Sequence, residues 1–134
     1  MLRQWKEFEL GPGGPTTDLH VTLNEKGEIL LGAGAVSRFG KHDAAILLFD
    51  EVNASIGLLP SNLRNKNAYP LKRKGQNEYR VVQAARFCRH HNIRVDRRIK
   101  FNTPELDPEG ILILDLKKTT AIGRLSKPLR QKTT

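Results

Sequence analysis

The 134-residue chain has a single cysteine, Cys88, so no internal disulfide framework holds it together. One thiol also fits a reducing compartment. The longest apolar run, Ala44 to Phe49, is six residues, far short of the ~18 that a membrane span requires. Met1-Leu2-Arg3-Gln4-Trp5-Lys6-Glu7 lacks the apolar segment of a secretion signal. The default expectation is a soluble, cytoplasmic protein with no membrane partner. Aromatic residues make up only 6% of the chain, which argues against a surface built for stacking single-stranded bases.

Catalytic and cofactor signatures are equally scarce. Gly11-x-Gly13-Gly14 is followed by no Lys-Ser/Thr and opens no helix, so it is not a phosphate loop. His90 and His91 are adjacent; on a helix they diverge by about 100° and cannot chelate one metal together. Glu105, Asp107 and Glu109 are interspersed with Pro104 and Pro108, the setting of a solvated turn rather than of paired catalytic acids. Cys88 reads as a small buried hydrophobe. No metal, no cofactor and no enzymatic activity are expected.

What the chain does have is positive charge in one place. Its net charge is +9; residues 1–67 carry 7 Lys and Arg against 8 Asp and Glu, while residues 68–134 carry 16 against 6. An excess confined to one half points to a polyanionic partner, nucleic acid first and an acidic protein or membrane surface second. The length fits one domain, or two small ones that share a core, and suffices to bury that core without staples.

Internal similarity organises the rest. Arg38-Phe39-Gly40-Lys41-His42 returns as Arg86-Phe87-Cys88-Arg89-His90, 48 positions on, and at the same spacing Leu23, Lys26 and Gly27 meet Leu71, Lys74 and Gly75. In the first copy, His20 to Leu23 alternates as a half-buried strand, Asn24 to Gly27 turns, and Glu28 to Leu31 pairs back. Gly32 to Gly40 reads as a short helix with Ala35, Val36 and Phe39 inward and Gly40 at its end. Ala45 to Asp50 and Ile56 to Leu59 make a second hairpin, turned at Glu51 to Ser55 and stopped by Pro60.

The second copy opens at Tyr69, turns at Lys72-Arg73-Lys74-Gly75 and returns along Glu78 to Val82. Helix Gln83 to His91 turns Ala84, Phe87 and Cys88 inward; strand Arg94 to Phe101, an acidic turn Pro104 to Gly110 and strand Ile111 to Leu116 follow. The expected class is β-rich α+β: two tandem β-hairpin–short helix–β-hairpin repeats, 19–60 and 69–116, joined by the polar linker 61–68. Residues 1–18 are read as a strand (Trp5 to Leu10) and a Gly/Pro tether (Gly11 to Pro15). Residues 117–134 are read as a basic mobile tail, dispensable for folding.

The succession of turn, strand, short helix with arginine, and acid before a hairpin resembles the AbrB/MraZ-like swapped-hairpin transcription factors. Lys26-Gly27, Arg38 and Asp43 carry the resemblance in the first copy and Lys74-Gly75 and Arg86 in the second, over about residues 19–116. Where the family directs an arginine after the turn glycine toward DNA, this chain has Glu28 and Gln76. The resemblance implies an interleaved, swapped-hairpin barrel in which one half completes the other, and DNA recognition through the β-turn face.

Nine cations of the second copy are the candidate nucleic-acid contacts: Lys72, Arg73 and Lys74 on the turn, Arg86 and Arg89 on the helix, and Arg94, Arg97, Arg98 and Lys100 beyond it. In a strand, Arg94, Arg98 and Lys100 share one face and Val95, Ile99 and Phe101 the other. Guanidiniums on such a face pair bidentately with phosphate oxygens. Lys26 and Lys41, where local charge balances, are expected to contribute little. Tyr69 and Tyr79 are the nearby rings, so duplex DNA is favoured, with RNA read by shape left open. The expected function is a DNA-binding regulator or antitoxin-like module. The competing class is an assembly subunit that meets RNA or an acidic protein surface in a larger complex. Self-association is left open.

Overall fold

The computed structural model describes residues 19–40, 42–75 and 78–123. Strand β1 (Val21–Leu23) and strand β2 (Glu28–Leu31) form the first hairpin, with Leu23 opposite Ile29. Asn24 builds the turn between them: its Oδ1 accepts the Lys26 and Glu28 N–H groups at 3.0 and 2.9 Å. Gly27 completes it at φ +81°, a conformation that costs glycine no Cβ clash. Helix α1 (Ala33–Phe39) buries Gly34, Ala35, Val36 and Phe39 and ends at Gly40, at φ +103°, whose N–H bonds Val36 O at 2.9 Å.

Strands β3 (Ala44–Asp50) and β4 (Ser55–Ser61) are the longest pair. Asp50 closes their turn, its carboxylate accepting from Asn53 N at 3.2 Å and Asn53 Nδ2 at 2.7 Å. Contrary to expectation, Pro60 does not stop β4; it sits within the strand opposite Ala45. The other neighbour of β4 pairs only as far as Leu58, so no partner there needs the N–H that proline lacks. In the 62–68 connection, Asn62 and Asn65 each accept a backbone N–H two residues on, which is why an Asn-rich stretch turns so readily.

The second half supplies β5 (Tyr69–Pro70), β6 (Lys72–Arg73), β7 (Arg80–Gln83), α2 (Ala85–His90), β8 (Ile99–Phe101), β9 (Glu105–Leu106), β10 (Leu112–Asp115) and β11 (Thr119–Ala121). All pairings are antiparallel, in two sheets ordered β11-β8-β1-β2-β7-β6 and β5-β3-β4-β10-β9. Strands of the two halves are thus mixed: β1 lies between β2 and β8, and β4 between β3 and β10. Inward side chains of both sheets, among them Leu23, Ile29, Phe101, Ile56, Leu58 and Leu112, join one core with Phe39 and Phe87 of the helices. The fold is β-rich α+β. No helix among the described residues is long and apolar enough to cross a membrane.

Several expected elements are displaced. The 48-residue spacing holds for Gly27 and Gly75 but not for the helices, which open at Ala33 and Ala85, 52 residues apart. The cause is the longer second turn: β2 starts directly after Gly27, whereas β7 starts at Arg80. Arg38-Phe39 therefore ends α1 while Arg86-Phe87 begins α2. A shift of four residues is close to one helical turn, which keeps both Phe39 and Phe87 inward. Gln83 belongs to β7 and not to the helix, and Lys72 and Arg73 pair with Val81 and Arg80 rather than turning.

Arg94 to Arg98 is not a strand; β8 begins at Ile99. Exposure does alternate, with Arg94, Asp96 and Arg98 out and Ile93, Val95 and Ile99 half-buried. But β1 is three residues long and takes only Ile99 and Lys100. Within Pro104 to Gly110, read as a turn, Glu105 and Leu106 pair with Ile113 and Leu112. Thr119–Ala121, assigned to a mobile tail, covers the open edge of β8; an edge strand held by backbone pairing needs no apolar period to reveal it. The expected strand at Trp5 to Leu10, the tether and residues 124–134 of the tail lie outside the described residues.

Candidate nucleic-acid interface

α2 is six residues long, and its position is set at both ends by backbone contacts. At its start, Ala84 N–H bonds Gly27 O at 2.8 Å, seating the β1–β2 turn on the helix. A Cβ on Gly27 would lie 2.6 Å from Ala85 Cα, so only glycine permits this approach. At its end, Asn92 takes φ +57°. Asn92 N–H bonds Arg89 O at 3.3 Å and Ile93 N–H bonds Cys88 O at 2.8 Å, the Schellman arrangement with asparagine in the left-handed position. Arg94 follows directly.

The inner face of α2 carries Phe87 and Cys88, and the outer face Arg86, Arg89 and His90. Burial pushes the Cys88 thiol above its ordinary value, so it stays protonated and a poor nucleophile. His91 packs on Phe49 and Phe87, ring centroids 4.5 and 4.7 Å away. No group of three His, Cys, Asp or Glu among the described residues is arranged to hold a metal.

Between the β1–β2 turn and α2 lies a cleft of about 340 Å³, walled by Lys26, Arg89 and Arg94 with Glu25 and floored by Leu23 and Cys88. Beside it, Arg86, Arg89 and His90 border a more open depression of about 540 Å³ that reaches Tyr69. The structure therefore brings Arg86, Arg89 and Arg94 together and adds Lys26, a residue read from the sequence as indifferent. Its partners are distant in sequence, so no local pattern flagged it.

The other candidates are dispersed. Arg97 faces Asp96 at 3.7 Å. Arg98 is exposed, and its carbonyl accepts from Ile122 and Gly123. Lys100 opposes Thr22 in β1, and Lys72 opposes Val81 in β7. The registers Thr22–Leu30 and Leu30–Val81 put Lys100 and Lys72 on the same face of the sheet, four strands apart, about 19 Å in a flat sheet. Lys72 Nζ donates to Gln83 Oε1 at 3.2 Å, and Arg73 lies 4.0 Å from Glu78. Lys74 is exposed at the start of the second turn.

The acids gather elsewhere. Asp50, Glu105, Asp107 and Asp115 border a depression of about 640 Å³ over the β3–β4–β10 sheet, with Lys117 and Lys118 at its rim. Three of the four acids are engaged in turns. Asp107 Oδ1 accepts from Glu109 and Ile111 N–H groups, both at 2.9 Å, and Asp115 Oδ1 from Lys117 N–H at 2.9 Å. The Asn53 side chain and N–H hold the Asp50 carboxyl below the usual carboxylate range. Three of the four carboxylates that rim this larger depression thus cap turns of the backbone beside it. Compared with known protein families, curated proteins and solved structures, the chain matches none.

Proposed function

We propose that this chain is a non-enzymatic nucleic-acid-binding protein, a DNA-binding regulator or antitoxin-like module that grips the duplex backbone through α2 and the loop after it. One observation carries the reading. Lys26, Arg86, Arg89, Arg94, Arg98 and Lys100 form no ion pair with any described carboxylate, while Asp50, Glu105, Asp107 and Asp115 border the depression on the other sheet. Where Lys26, Arg89 and Arg94 meet, around a cleft with Glu25 as its one acid, the cations outnumber the counter-charge and repel one another; a polyanion relieves that repulsion while releasing its own counterions.

The strand pairings support the swapped-hairpin part of the proposal. β1 pairs with β8 of the second half, and β3 pairs with β5 of the second half; β2·β7 and β4·β10 join the halves where their equivalent strands meet. In this reading the halves are tandem repeats, offset by the longer second turn, that close one interleaved barrel of the AbrB/MraZ-like kind.

The test is binding of an end-labelled DNA duplex across a salt series. Wild-type affinity should fall steeply with salt. Changing Arg94, Arg98 and Lys100 together to Gln should lower the slope of log affinity against log salt by roughly 0.9 for each phosphate that is no longer neutralised. The control changes Arg64 and Lys66, on the 62–68 connection, and should leave the slope unchanged. Absence of wild-type binding at low salt would favour the assembly-subunit alternative.

A further inference from the structure

We infer that the cleft between the Asn24–Gly27 turn and α2 is a phosphate-binding subsite assembled from both halves of the chain. The inference rests on the nucleic-acid reading for the source of the phosphate, a backbone phosphodiester, but not for the chemistry of the cleft. Lys26 comes from the first half, Arg89 and Arg94 from the second, and all three wall one cavity whose single acid is Glu25. The surplus is two positive charges, and none of the three cations has an ion-pair partner among the described residues.

Three features make this more than a crowded surface. The positions are set by backbone: Gly27 is buried against Ala85, which fixes Lys26 beside the helix, and the Asn92–Ile93 cap fixes Arg94 beside Arg89. These backbone anchors gather the three side-chain stems around one cleft before the anion arrives, so that binding has only the side chains themselves to order. The floor is apolar, with Leu23, Cys88 and Ile93, and a charge pair against such a wall is screened less than one in open water. The cleft, about 340 Å³, holds roughly ten waters' worth of volume, room for a phosphate group with its hydrogen bonds to two guanidiniums and an ammonium. The other turn lacks this seat: a Cβ on Gly75 would meet nothing within 4 Å.

The experiment measures duplex affinity for wild type, Lys26→Gln, Arg94→Gln, the double variant and Arg98→Gln, and follows the amide NMR signals of residues 24–27, 89 and 94 during titration with inorganic phosphate. Lys26→Gln and Arg94→Gln should each weaken duplex binding about tenfold, the worth of one charge-assisted hydrogen bond. The double variant should cost less than the product of the two, because both cations hold one phosphate. Arg98→Gln, outside the cleft, should cost less than either. If wild type binds duplex and Lys26→Gln binds as well, the cleft is not the subsite, and the nucleic-acid reading survives. Strictly multiplicative losses would also overturn a shared phosphate. If duplex does not bind but phosphate shifts these amides, and Lys26→Gln abolishes the shifts, the cleft stands as a site for a small phosphate ligand and the nucleic-acid reading falls. If neither duplex nor phosphate registers, both are wrong.

Discussion

Gly27 and Gly75 look interchangeable in the sequence, each after a lysine in a turn, and both take positive φ, +81° and +67°. Their surroundings separate them. Replacing Gly75 with Ala adds only the strain of a left-handed L-residue, about 1 kcal/mol. Replacing Gly27 with Ala adds the same strain and drives a methyl to 2.6 Å from Ala85 Cα. Backbone cannot swing aside as a side chain can, so overpacking adds about 1–3 kcal/mol. Urea denaturation should therefore show Gly27→Ala to be clearly the more destabilising; equal losses would mean that the turn is not seated on α2. The need for glycine at both turns was legible from their composition. Which of them touches a helix was not, because Ala85 lies far along the chain.

Among the elements, the first hairpin, α1 and the β3–β4 pair follow their local patterns closely, since each is built from neighbours in sequence. β8 and β11 do not. β8 is three residues long with β1 on one side and β11 on the other, Thr120 opposite Lys100. Ile122 and Gly123 N–H groups both reach Arg98 O, at 2.9 and 3.2 Å, and Thr120 Oγ1 donates to Asn102 Oδ1 at 2.9 Å. Ending the chain after Lys118 removes all of these and bares the edge of β8. At about 0.5–1.5 kcal/mol net for each hydrogen bond, the loss should be roughly 2–4 kcal/mol. Ending it after Gly123 leaves every one of these bonds in place and is the matched control. Equal stability of the two truncations would show that β11 does not support β8.

For the whole molecule, the consequence of mixing the strands is that neither half has a sheet of its own. β1 and β2 find partners in β8 and β7, and β3 and β4 in β5 and β10, while the core draws on both halves. The 62–68 connection, turned by its own asparagines, is where the chain can be divided without cutting a described strand. Fragments 1–64 and 65–134 should each lack cooperative thermal unfolding, yet mixing them should restore the circular dichroism of the intact chain. A half that folds alone would contradict the shared core. Charge is partitioned at the same scale, with the cation-walled cleft against α2 and the acid-rimmed depression over the other sheet.

The sequence by itself determined the β-rich class, the turns at Asn24–Gly27 and Gly40, the inward face of α2 and the excess of cations in residues 68–134. Each of these is a property of residues within a few positions of one another, or of composition. Strand partners, the four-residue displacement of the helices, the covering of β8 by β11 and the meeting of Lys26 with Arg89 and Arg94 were decided only by the tertiary structure. Backbone pairing carries no side-chain signature, and a cleft between a turn and a helix some 60 residues apart leaves no periodicity to read. The alternation at Arg94 to Arg98 shows the limit physically: side-chain period reports which way a residue faces, and only a neighbouring strand turns that facing into a sheet.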